Sequence, residues 1–162
     1  MRRPYLDWTP EIAIMDDMAE KQPQTFTPAE VNALIPRLEE HFQNFWGFRE
    51  NAQRIMEGLR GKARSAKDPE DMTAKEAADH QMKNSQAHFL LEQARKEIDA
   101  IIEMGCAVKD FEMGLVDFPH ILEGESQEVY LCWKFGEKRV RFWHELDQGY
   151  HSRKPLAKRI HH

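Results

Sequence analysis

Cysteine is scarce. Cys106 and Cys132 are the only two in 162 residues, too few for a disulfide framework and without the spacing of a metal-binding motif. A reduced, cytoplasmic setting is the economical expectation. No apolar run approaches the roughly 20 residues a membrane-spanning helix needs. Asp7, Glu11, Asp16 and Asp17 break up any signal-peptide core behind Arg2 and Arg3. Excess positive charge is also missing. A formal net charge of −5 argues against a dedicated nucleic-acid binder, which needs a concentrated basic face. No nucleophile–base motif, phosphate loop or paired-carboxylate spacing occurs. What remains is a chain with 41% hydrophobic and 31% charged residues, in globular proportion. Its length suits one domain, able to bury about 70% of the surface its unfolded form exposes.

Residues 1–25 read as an N-terminal extension. Pro4, Pro10 and Pro23 interrupt every apolar period there, while Leu6, Trp8, Ile12 and Met15 make it a partly mobile or docking arm. The single domain is expected over 26–156, and 157–162 form a basic tail. Thr27-Pro28-Ala29-Glu30 is a capping box with proline at the first helical position. Val31, Leu34, Leu38, Phe42, Phe45, Ala52, Ile55 and Leu59 then recur at helical spacing. Pro36 lies within this pattern and predicts a kink, or a break into two helices. After a charged turn over 61–72, a second capping box at Thr73–Glu76 opens a helix whose seam is Ala87, Leu91, Ala94, Ile98 and Ile101. Gly105 is its left-handed stop. The loop-side half, 74–86, is polar and is expected to project from the core. Projecting helical hairpins often pair with a copy of themselves, so self-association through the helices is expected.

The remaining sequence alternates as strands do. Gly136-Glu137 suits a two-residue type II′ hairpin turn. That turn pairs Trp133 with Val140, Leu131 with Phe142 and Val129 with His144. It makes Val129, Leu131, Trp133, Phe135, Val140 and Phe142 the core face. A preceding strand at 115–122 places Phe118 beside Leu131 and His120 beside Val129. The predicted fold is α+β: a long antiparallel helical hairpin packed on a three-stranded antiparallel β-meander.

Chemistry-bearing residues crowd the end of that meander. In the expected register His120 and His144 flank Val129 on the inner face. Asp117, Cys132 and Arg141 share an outer row, with Asp117 and Arg141 as a structural ion pair and Cys132 a small buried side chain. With Glu145, Asp147, His151 and Arg153, the two histidines form the candidate ligand or metal site. Imidazole and carboxylates suit a divalent metal or an oriented general base, and a guanidinium fork clamps anions. The leading functional reading is a dimeric interaction or ligand-binding module, with a protein partner accommodated on the hairpin or tail. The alternative is a metal- or anion-dependent hydrolytic enzyme using those six side chains.

Three stretches carry a family resemblance: FTPAEVNALIPRL at 26–38, VKDFEMGLVDFP at 108–119, and YLCWKFGE with RFWHELDQGYHSRKPL within 130–156. They resemble an uncharacterised prokaryotic family, domain of unknown function 2203. The resemblance implies a bacterial or archaeal cytoplasmic protein with this hairpin-plus-meander plan. It transfers no catalytic residues.

Overall fold

The computed structural model describes residues 24–65 and 72–156. The expectations for the N-terminal extension up to residue 23, the tail over 157–162 and the tip of the helical turn at 66–71 lie outside the described residues. Helix α1 spans Pro28–Ser65. Thr27 starts it: its hydroxyl oxygen accepts the Glu30 amide at 3.2 Å and donates to the Glu30 carboxylate at 3.2 Å. Val31, Leu38, Phe42, Ala52 and Leu59 are buried along one face. The helix continues unbroken through Pro36, so there is one helix where two were an option. A proline deletes a single ladder bond, and burial of Ile35 and Leu38 on either side holds the flanking turns together.

Helix α2 spans Ala74–Glu103. Its capping box is reciprocal: Thr73 Oγ1 accepts the Glu76 amide at 3.1 Å, and the Glu76 carboxylate accepts the Thr73 amide at 2.9 Å. Ala87, Ala94, Ile98 and Ile101 are buried, while no residue of 74–86 is. Gly105 ends the helix with φ +101°, and a Cβ there would stand 2.9 Å from Gln24 Oε1. Only glycine fits that bend.

The sheet has five antiparallel strands in sequence order, two more than the predicted meander. They are β1 (Ala107–Asp110), β2 (Leu115–Ile121), β3 (Glu128–Lys134), β4 (Phe142–Glu145) and β5 (Lys154–Pro155). The additions are short edge strands that carry too few residues to show an alternation of their own. β2 and β3 pair as expected, Phe118 with Leu131 and His120 with Val129.

β4 does not pair as expected. Leu131 faces Trp143, Tyr130 faces His144 and Cys132 faces Phe142, one residue off the predicted ladder. The cause is the connection, which runs from Phe135 to Arg141 instead of two residues. The Lys134 carbonyl accepts the Glu137 amide at 3.0 Å, with Gly136 as third turn residue at φ +99°. Positive φ there belongs to a type II turn rather than II′. Phe135 leaves the ladder: its amide donates to the Gly114 carbonyl at 2.9 Å, and its ring meets Trp46 edge-on at 4.8 Å. The Trp133 indole N–H closes the loop on the Glu137 carbonyl at 2.8 Å.

Slippage by one residue reverses every side chain of a strand. Val116, Phe118, Val129, Leu131 and Trp133 face the helices, all buried. Trp143 joins that core, the place predicted for Phe142, and Val140 and Leu156 complete it. Phe142 and His144 pair with Cys132 and Tyr130 and therefore point away from the helices, with Asp117.

Candidate functional site

The outer face of the sheet holds a buried polar row. Asp117 on β2, Cys132 on β3 and His144 on β4 are 2%, 0% and 1% exposed. His144 Nε2 lies 3.0 Å from Asp117 Oδ2, and Nδ1 lies 2.8 Å from the Glu145 carbonyl oxygen. A carbonyl oxygen can only accept, so Nδ1 carries a hydrogen. The Nε2–Oδ2 contact then holds one shared proton. Among the described residues Asp117 Oδ1 is buried without a hydrogen-bond partner. Imidazole, thiol and carboxylate ligand atoms of the three residues all lie within 4.8 Å of one another.

Burial pushes the Cys132 thiol up to about 12; the charge of Asp117 beside it acts the same way, and Arg153 opposes. At neutral pH Cys132 is a protonated thiol and no nucleophile.

The segment after β4 roofs this row. Arg153 lies between two rings, its guanidinium carbon 4.2 Å from the centroid of Phe142 and 4.2 Å from that of Tyr150. Its Nη1 donates to both carboxylate oxygens of Glu137, at 3.1 and 3.3 Å. A 3-10 turn, Tyr150–Ser152, presents the Tyr150 ring, and Lys134 Nζ stands 5.6 Å from that ring. Buried Leu156 anchors the end, its amide donating to the Arg141 carbonyl at 2.7 Å.

Of the predicted site residues, the structure brings His144 and Arg153 to this row and disperses the others. His120 is on the helix side, where its Nδ1 lies 2.7 Å from the Phe26 carbonyl oxygen and ties the chain ahead of α1 to β2. The two histidines therefore occupy opposite faces, because the slipped register puts Glu145 rather than His144 beside Val129. Glu145 pairs with Lys154 at 3.4 Å. Asp147 and His151 are exposed, the latter edge-on to Tyr150. The expected Asp117–Arg141 pair is replaced by Asp117–His144. Arg141 is exposed, since Phe142 occupies the position opposite Cys132. Cys132 and Asp117 share the outer row that alternation predicts. What sequence reasoning missed is their association with His144, which depends on a turn length that no local motif encodes.

A second feature lies where the helices meet the β1–β2 turn. An open groove of about 610 Å³ is floored by Phe45, Leu91, Ala94, Ile98 and Phe111, and rimmed by Arg49, Arg95, Lys109, Asp110 and Glu112. Phe111 is held out by its neighbours: its carbonyl accepts the Trp46 indole N–H at 2.8 Å, and Arg49 grips Glu112 through two bonds of 2.6 and 2.9 Å. Phe111 and Leu91 are 45% and 36% exposed. Among the described residues no helix is long and apolar enough to cross a membrane.

A family model described as "Uncharacterized conserved protein (DUF2203)" matches residues 24–156. No curated protein and no solved structure matches the chain.

Proposed function

We propose a function for a chain that belongs to the DUF2203 family: it is a non-catalytic interaction module that pairs with a second copy of itself through the groove face of its helical hairpin. The observation that carries this reading is the exposure of Leu91 and Phe111, both more than a third exposed, along an open apolar groove. Contiguous exposed apolar surface with a polar rim is a mark of interaction sites. The rim carries both signs, Arg49, Arg95 and Lys109 beside Asp110 and Glu112. An isologous interface sets each patch against its own two-fold copy, so a mixed-sign rim supplies its own counter-charges. The distal half of α2, with no buried residue over 74–86, extends the available surface toward the roughly 800 Å² per partner that stable complexes bury.

The enzymatic alternative has less support. Its six side chains do not converge, and the thiol of the buried row is protonated at neutral pH.

Light scattering after size exclusion, run on the wild type and on Leu91→Glu, tests the proposal. A two-chain mass at micromolar concentration that falls to one chain in the variant is expected. A wild type that stays a single chain over the whole concentration range overturns it, and leaves the groove to a different protein.

A further inference from the structure

We propose that Asp117, Cys132 and His144 form a binding site for a zinc-class divalent ion, roofed by Arg153 and Tyr150. The residue types are those such ions take, one thiolate, one imidazole and one carboxylate, and their ligand atoms lie within 4.8 Å of one another. Donors on one tetrahedral zinc stand about 3.5 Å apart, given bonds of roughly 2.0–2.3 Å. Small side-chain rotations therefore complete the set.

Two further observations point to a ligand. Asp117 Oδ1 is buried with no hydrogen-bond partner among the described residues, and a stranded carboxylate oxygen costs free energy that a cation would recover. His144 is also oriented as metal-bound histidines are. Nδ1 donates to the Glu145 backbone carbonyl at 2.8 Å, which fixes the ring and directs the Nε2 lone pair at the other two side chains.

Charge balances as well. Thiolate and carboxylate neutralise a divalent cation, while Arg153 has Glu137 as its own counter-ion. Loading replaces the thiol hydrogen and the proton shared by Nε2 and Oδ2, and both leave to solvent. Three protein ligands leave one tetrahedral position for water or an anion beneath the roof.

Co²⁺ is the probe, because a thiolate ligand gives a near-ultraviolet charge-transfer band that carboxylate and imidazole do not. Full-length protein carrying no affinity tag is stripped with chelator and titrated with Co²⁺. Stoichiometric uptake with that band is expected, retained in Cys106→Ala and lost in Cys132→Ala. Absence of the band from both wild type and Cys106→Ala overturns the proposal, as does its persistence in a folded Cys132→Ala. If Cys132→Ala does not fold, the Cys106→Ala spectrum decides alone, since its only thiol is Cys132. A monomeric wild type that still shows the band would refute the self-pairing proposed above and leave this site intact.

Discussion

His144 Nε2 and Asp117 Oδ2 meet at 3.0 Å across two sheet positions, both side chains being only 2% exposed. Neither has solvent to fall back on. His144→Ala strands the carboxylate, and loss of one partner from a buried pair costs about 3–5 kcal/mol. Urea unfolding of metal-free protein should show that loss. Asp117→Asn keeps the shape and a hydrogen-bonding group, so its cost is expected to be smaller.

The thiols set an alkaline limit. Burial pushes both Cys106 and Cys132 up to about 12 from an ordinary 9.0, and Cys106 also donates to the Ile101 carbonyl at 3.1 Å. Folding favours the protonated forms. Their contribution is therefore complete below pH 9.0 and is lost as pH rises toward 12. Urea midpoints measured across that range should fall, and the fall should be shallower in Cys106→Ala. Disulfide reagents should label neither thiol at neutral pH until the protein unfolds.

Glycines in this fold divide sharply. At Gly114, φ is +68° and a Cβ would stand 2.6 Å from Phe135 Cβ. Gly114→Ala combines a left-handed penalty of roughly 1–2 kcal/mol with overpacking of about 1–3 kcal/mol. Gly58, inside α1, has nothing within 4 Å of the added carbon. Gly58→Ala should instead stabilise by about 0.5–1 kcal/mol. Thermal melts of the two variants should move in opposite directions.

One side chain pins the long β3–β4 connection to the helices. Asn32 Oδ1 accepts the Val140 amide at 2.8 Å, and Val140 is 2% exposed. Asn32→Ala leaves that N–H unsatisfied at about 1–3 kcal/mol. Amide hydrogen exchange should speed up at Val140 in the variant and stay slow at Leu131.

Features governed by near neighbours are legible in the sequence. The helix start at Thr27, the capping box at Thr73, the stop at Gly105 and the Phe118–Leu131 pairing each depend on local chemistry or on strong alternation. The β4 register was not legible, because Gly136-Glu137 satisfies a tight-turn rule while distant groups overrule it. Trp46 claims the Phe135 ring and Asn32 claims the Val140 amide, and these partners are 89 and 108 positions away in sequence. Moving β4 by one residue separated His120 from His144 and created the contact with Asp117. The candidate site was therefore partly visible: Asp117 and Cys132 stand in the outer row as predicted, Arg141 does not, and His144 was expected on the opposite face.

The roof over that row has a consequence for biosynthesis. Tyr150, Arg153 and Leu156 are translated after every strand residue they shelter. At ribosomal speeds of about 5–20 residues per second, Cys132 spends on the order of a second or more awaiting its cover. During that interval the outer face of the strands has no cover, so the row closes only once the roof segment has been made.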